Sequence, residues 1–271
     1  MTVAAHSSMQ PLFEEEGLRR LDALIRPGVL CAFDFDGTLA PLVDLPDKAR
    51  LSDDMRSRLV ALCAHAPVAV ITGRSVSDIR KRLGFEPTYV VGNHGIEGMP
   101  GTSQGFDDFR ETCRVWLRQL HALVSEPGVD IEDKVYSLSV HYRNAPDPLD
   151  AEARLRPKLA SLLPVPRIID GIYLFNLLPM HAANKGLALE RLIEACAAPG
   201  AIYVGDDVTD EDVFRLQRQN IMSIRIGHAA NSAAGFFVPQ RAEIVRLLDL
   251  IIEKLNIFRL PAHAKPHAIS L

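Results

Sequence analysis

The chain has 271 residues, 48% of them apolar and 24% charged, with a formal net charge of −4. That length fits a core domain carrying a smaller second one, and the composition is that of an ordinary globular protein with apolar residues enough for a full core. An acidic balance without a long basic cluster gives no footprint for nucleic acid, and no apolar run reaches the length of a membrane span. Met1–His6 carry no basic-then-apolar pattern, so the expected location is cytoplasmic. Cys31, Cys63, Cys113 and Cys196 are spaced as isolated reduced thiols, not as zinc ligands or a disulfide framework.

Residues 11–27, with Leu12, Phe13, Leu18, Leu21, Leu24 and Ile25 among charges, predict an amphipathic leader helix stopped at Pro27. Val29 to Phe33 is an apolar run without a turn residue, the mark of a buried parallel strand, and it gives way to Asp34-Phe35-Asp36-Gly37-Thr38. Ser52 opens a helix to Cys63, with Asp53 and Asp54 at the positive end of its dipole. Val68–Ile71 is a second buried strand, ending in Thr72-Gly73-Arg74 before a helix near Ser75. Tyr89–Val91 is a third, running into Gly92-Asn93-His94-Gly95. Strand, helix, strand, helix, strand implies parallel pairing through right-handed crossovers.

From residue 99 the pattern changes. A helix through Phe109 and Val124 is followed by alternating strands at 129–133 and 137–143, a helix over 149–163, and two strands flanking Asp170-Gly171, the strongest hairpin signal in the chain. This α-β-β-α-β-β block, 99–180, is expected to be a small α+β domain inserted into an α/β core made of 1–98 and 181–271. The parallel pattern resumes with Lys185-Gly186 preceding a helix from Leu187 to Cys196, and then the strand Ala201–Gly205, which ends on Asp206-Asp207. Strands at 223–227 and 235–238 and a closing helix over 241–255 complete it, and the tail from Pro261 is read as mobile.

Strand side chains alternate, so Asp34 and Asp36 are expected to leave on one side and face one small volume. Two carboxylates there repel unless a divalent cation lies between them. In open parallel sheets ligands bind at the carboxyl ends of strands, and Asp34, Asp36, Thr72, Asp206 and Asp207 all stand at such ends, with Lys185 starting a helix aimed at the same edge. A nucleophile, a hydroxyl, a cation and hard oxygen ligands fit Mg²⁺-dependent phosphoryl transfer, and the absence of His and Cys from the set favours Mg²⁺ over zinc.

Asp34-Phe35-Asp36-Gly37-Thr38, Thr72, Lys185 and Gly205-Asp206-Asp207 resemble, in order, the four motifs of the haloacid-dehalogenase superfamily of phosphohydrolases. The resemblance implies a Rossmann-like parallel-sheet core with a type C2 cap, Asp34 as the attacking nucleophile, Asp36 as general acid and base, Thr72 and Lys185 on the phosphoryl oxygens, and Mg²⁺ on Asp34, Asp36, Asp206 and Asp207. More narrowly, Ile71-Thr72-Gly73-Arg74, Gly92-Asn93-His94-Gly95-Ile96-Glu97, Glu132-Asp133-Lys134, His141-Tyr142-Arg143, Asn184-Lys185-Gly186 and Asp206-Asp207-Val208-Thr209-Asp210-Glu211 are similar to the trehalose-6-phosphate phosphatases. That implies hydrolysis of trehalose 6-phosphate, functional coupling to a trehalose-6-phosphate synthase, and substrate contacts from Arg74, Asn93, His94, Glu132, Lys134, Arg143 and Asn176. Asn176 stands where the family usually has Glu, and Ile172 where a Lys often follows the glycine, so the identity of the sugar is the open point. Alternative readings are a phosphatase of sucrose phosphate or mannosyl-phosphoglycerate, a phosphotransferring mutase, and a sugar-phosphate sensor without activity.

Overall fold

The computed structural model describes residues 9–43, 46–101 and 106–259; Met1–His6 and the tail from Pro261 lie outside the described residues. In chain order the elements are β1 (Gln10–Pro11), α1 (Glu15–Leu24), β2 (Leu30–Phe33), α2 (Asp53–Cys63), β3 (Val68–Ile71), α3 (Val76–Leu83) and β4 (Tyr89–Val91). Then come α4 (Phe106–Leu123), β5 (Asp130–Asp133), β6 (Leu138–His141), α5 (Pro148–Ala160), β7 (Pro166–Gly171) and β8 (Leu174–Pro179). The chain closes with α6 (Lys185–Ala195), β9 (Ala201–Gly205), α7 (Glu211–Phe214), β10 (Ile221–Ile226), β11 (Phe236–Val238) and α8 (Ile244–Arg259). They fall into two compact units, one reaching Pro100 and resuming at Asn184, the other running from Gly101 to Ala183.

The first unit is a seven-stranded parallel sheet in the order β1-β11-β10-β9-β2-β3-β4. β2, β3 and β9 are buried along their whole length, which is why they read as unbroken apolar runs. On one face Cys31, Phe33, Val70 and Val204 pack with Leu21 of α1, Leu59 of α2 and Leu248 of α8. On the other, Leu30, Ala32, Ile71 and Tyr203 pack with Leu189 of α6 and Phe214 of α7. Side-chain oxygens open the helices, at Ser52 and Ser75 as the sequence indicates and at Asn184 besides: they accept from the backbone N–H of Met55, Asp78 and Leu187. β1, one of the two edge strands, is absent from the sequence reading, because two residues carry no periodicity.

The second unit is a four-stranded antiparallel sheet in the order β5-β6-β8-β7. Leu138, Val140, Phe175 and Leu177 pack against Trp116 and Leu120 of α4 and Leu155 and Leu159 of α5. Trp116 donates its indole N–H to the carbonyl of Pro164 at 2.6 Å, satisfying its polar atom. The hairpin expected at Asp170-Gly171 turns two residues later: Gly171 pairs with Leu174, and Ile172-Tyr173 form the turn, Tyr173 at φ 58°. Register overrides turn chemistry here, since a slipped β8 loses the placement of Phe175 and Leu177 against the helices.

Candidate active site

β2 and β9 are adjacent; the sheet continues from β2 through β3 to β4 and from β9 through β10 to β11. The crevice at such a reversal of strand order lies at the strands' carboxyl ends. Asp34 follows β2, its N–H bonding the Val204 carbonyl at 2.9 Å and extending the ladder by one residue. Alternation puts its side chain on the side of Leu30 and Ala32, the face covered by α6, where it meets Lys185 at the helix start. Lys185 Nζ donates to Asp34 Oδ1 and Asp210 Oδ1, each at 2.7 Å, and is 2% exposed.

Asp210 holds this arrangement. A single tight turn over Val208–Asp210 brings its carboxylate back on the strand end, where Oδ2 accepts from the backbone N–H of Asp206 and of Asp207, both at 2.9 Å. Oδ1 accepts from Lys185 and from the Tyr203 hydroxyl at 2.6 Å, so both oxygens are committed. Gly205 allows the approach, for a Cβ there stands 2.3 Å from Asp210 Cγ. Asp206 Oδ1 accepts from the Thr38 hydroxyl at 2.9 Å, and a Cβ on Gly37, at φ 85°, stands 2.0 Å from Asp206 Oδ2. One oxygen each of Asp34, Asp206 and Asp210 lies within 4.8 Å of the others.

Burial pushes the Asp34 carboxyl well above the usual range, with Lys185 opposing and Asp210 and Asp206 reinforcing. Burial likewise pushes Asp206 up to about 7, assisted by Asp210 and opposed by the Thr38 hydroxyl. Lys185 is drawn down by burial but raised on balance by Asp210 and Asp34, and stays charged. Three carboxylates against one lysine leave excess negative charge in a dry place, and a divalent cation removes it. The donors are hard oxygens, and the second oxygens of Asp34 and Asp206 take no hydrogen bond among the described residues. The set fits Mg²⁺, with Asp34 and Asp206 to hold it and Asp210 to hold Asp206.

The other expected site residues have partners of their own. Asp36 does not share the volume of Asp34: β2 ends at Phe33, the chain turns, and both Asp36 oxygens accept from Arg74, at 2.6 and 2.7 Å. Arg74, expected at the substrate, is thereby committed to Asp36, and to Asp78 at 2.8 Å. Asp207 lies outside the acidic cluster because its exposed carboxylate caps Val208 N–H at 2.7 Å. Thr72 is buried at the end of β3, the other neighbour of β2, and accepts from Arg74 N–H at 3.3 Å. Asn93 and His94 are both left-handed; the Asn93 amide donates to Glu97 at 2.8 Å, and His94 packs on Gly73, where a Cβ stands 2.5 Å from its ring.

In the second unit, register lines up Glu132, Ser139 and Asn176 across three strands, on the sheet face opposite α4 and α5. Glu132 meets His141 at 3.0 Å and Lys134 at 3.7 Å, and the Ser139 hydroxyl donates to Asn176 Oδ1 at 2.7 Å. Arg143 lies over the Tyr173 ring, 5.9 Å from its centroid. Asp210 stands in a motif that the sequence reading quotes without giving it a role, and Ser139 is given none. Asp210 is signalled by its place four residues after Asp206 in a turn-forming run; Ser139 has no local signal beyond its even spacing from His141.

A curated trehalose-phosphate phosphatase of Mycobacterium avium is 35% identical over 193 residues, covering 67% of this chain and 49% of that protein. The Mycobacterium tuberculosis protein of the same name is 29% identical over 256 residues, covering 89% of this chain and 66% of its own. The chain thus spans about half to two thirds of the length of these curated relatives. The C-terminal domain of the trehalose-6-phosphate phosphatase of C. albicans superposes with a TM-score of 0.72 at 20% identity, covering 91% of this chain and 99% of that one. It shares the parallel-sheet fold with an inserted α+β unit, the fold of the haloacid-dehalogenase phosphatases. With its motifs at the strand ends of that fold, and with the trehalose-phosphatase family model matching residues 32–240, the chain belongs to the trehalose-phosphatase family.

Proposed function

We propose that the protein is a Mg²⁺-dependent phosphatase that hydrolyses trehalose 6-phosphate to trehalose and phosphate through an aspartyl-phosphate. The observation that carries the reading is the buried Asp34–Lys185–Asp210 contact beside Asp206 at the reversal point of the sheet. Asp34 bonds to phosphorus as the ester P–O bond breaks, and Asp36 gives its proton to the departing sugar oxygen. Asp36 then takes a proton from the water whose oxygen cleaves the aspartyl-phosphate, which returns Asp34 and releases phosphate. Lys185 and Thr72 stabilise the charge on the phosphoryl oxygens. Bound at Asp34 and Asp206, Mg²⁺ supplies further neutralisation of that charge. Glu132, Lys134, Arg143 and Asn176 are assigned to the sugar, and a trehalose-6-phosphate synthase is the source of the substrate, in the cytoplasm.

Asn176 favours a second reading, a different disaccharide phosphate, because its neutral amide, bonded to Ser139, replaces the acidic acceptor usual in the family. Phosphate release from trehalose 6-phosphate, sucrose 6-phosphate, mannosyl-3-phosphoglycerate and glucose 6-phosphate separates the two. Preference for the first, abolished by a chelator, is expected; preference for another member transfers the specificity to Asn176, and release from none sinks the phosphatase reading.

Metal removal has a signed pH dependence. Asp34 and Asp206 have carboxyls raised by folding, Asp206 to about 7, so the metal-free fold keeps protons that the unfolded chain has already lost. Its stability therefore falls as pH rises from the ordinary carboxylate range through about 7. Adding Mg²⁺ to chelator-treated protein is expected to raise Tm by about 3–8 °C near pH 8 and by less than about half of that near pH 5.5. Equal gains at the two pH values refute the assignment of the cation to these carboxylates.

A further inference from the structure

The pairing of Arg74 creates a requirement that the site itself does not meet. Asp36 is gripped through both oxygens by the Nε and Nη2 sides of one guanidinium, whose Cζ also lies 5.7 Å from the centroid of the Phe35 ring. In that grip its carboxyl cannot turn to a leaving-group oxygen. Letting go takes two charge-assisted hydrogen bonds from an arginine whose side chain is only 12% exposed, and weakening the pairing of a buried cation is costly. The third side of the fork has a second anion: Nη1 donates to Asp78 Oδ2 at 2.8 Å.

Asp78 is itself held from behind. Arg82, one turn further along α3, donates to Asp78 Oδ2 at 2.8 Å and to Oδ1 at 2.6 Å. Arg82 is 7% exposed and also reaches the Asp47 carbonyl and carboxylate, both at 2.9 Å. Asp36, Arg74, Asp78, Arg82 and Asp47 thus form a ladder of alternating charge from the end of β2 to the segment before α2. Burial pulls the Asp78 carboxyl up, but Arg82 and Arg74 outweigh it and hold it at about 2, so it is a fixed anion.

We propose that Asp78, braced by Arg82, is a positioning residue that competes with Asp36 for Arg74 and so frees the Asp36 carboxyl to reach the leaving-group oxygen. The proposal rests on the phosphatase reading above. Two anions on one guanidinium weaken each other's hold; without the negative charge at Asp78, Arg74 binds Asp36 more tightly and keeps it from the departing oxygen. The loss falls on substrates whose leaving group needs a proton, an alkoxide such as a sugar oxygen, and much less on a p-nitrophenyl ester, whose phenolate leaves unaided.

The test is steady-state kinetics of the full chain and its Asp78→Asn and Asp78→Glu variants with Mg²⁺, on trehalose 6-phosphate and p-nitrophenyl phosphate. Asp78→Asn is expected to lower kcat for the sugar phosphate roughly tenfold with KM within about twofold, a part of what a general acid contributes. The loss on the p-nitrophenyl ester is several-fold smaller, and Asp78→Glu recovers most of the sugar-phosphate rate. Should Asp78→Asn fail to fold, Asp47→Asn, at the exposed end of the ladder, is expected to show the same substrate asymmetry at smaller size. Equal losses on the two esters, a change in KM alone, or no loss overturns the proposal. A parent that cleaves the p-nitrophenyl ester but not trehalose 6-phosphate refutes the substrate reading alone, and the comparison then moves to whichever sugar phosphate of the panel it cleaves. A parent that cleaves no sugar phosphate overturns both.

Discussion

Replacing Asp34 with Asn is expected to lower phosphate release by about four to six orders of magnitude, as loss of an enzyme nucleophile does. The amide oxygen can still accept from Lys185, whose second partner Asp210 is untouched, so the substitution removes nucleophilicity without dismantling the site. Acid-quenched parent protein should carry phosphate derived from substrate, and the variant none. Stability should move the other way. The Asp34 carboxyl is raised by burial, so its ionised form is disfavoured in the metal-free fold, and that cost appears as pH climbs above the ordinary carboxylate value. The neutral amide does not incur it. Metal-free Asp34→Asn protein is therefore expected to equal or exceed the parent in stability near neutral pH, as measured by denaturant unfolding. A variant keeping more than about 1% of the parent kcat places the nucleophile elsewhere.

The second large effect is expected at Lys185. Its ammonium is buried between Asp34 and Asp210, with Asp206 beside them, and Lys185→Met leaves three carboxylates in that volume without their cation. Breaking a buried pair by deleting one partner costs about 3–5 kcal/mol, a large share of the stability of a single domain. The methionine fills much of the space of the lysine stem, so the loss is chiefly electrostatic. That fixes its pH dependence. Asp34 and Asp206 already hold protons more tightly than free carboxyls, and without Lys185 they do so further, so the deficit is greatest well above the Asp206 value of about 7 and shrinks as pH falls below it. Denaturant midpoints of chelator-treated parent and variant near pH 5.5 and near pH 8 measure it. An equal deficit at both would mean that packing, not charge, is what Lys185 supplies.

The two substitutions bear on residues of unequal legibility. Asp34 is visible from the chain alone, because an apolar run ending in a carboxylate violates the local rule for a buried strand. Lys185 gains its meaning only beside Asp34 and Asp210, and Asp210 is hidden until residues 208–210 close into one tight turn. Arg74 shows the same limit: the resemblance assigns it to the substrate, and its bond to Asp36, 38 positions away in sequence, is made only because β2 and β3 are neighbours. In the second unit, Asp170-Gly171 is the better turn, yet the burial of Phe175 and Leu177 moves the hairpin to Ile172-Tyr173.

The sequence by itself determined the order of strands and helices from β2 onward, the insertion of one unit within the other, and the residue types at the strand ends, since periodicity, caps and breaks act within a few residues. Which carboxylates share a volume, and which is held away by an arginine, only the tertiary structure decided. Charge interactions depend on distance in space, and the adjacency of β2 with β9 and β3 that sets those distances joins residues far apart along the chain.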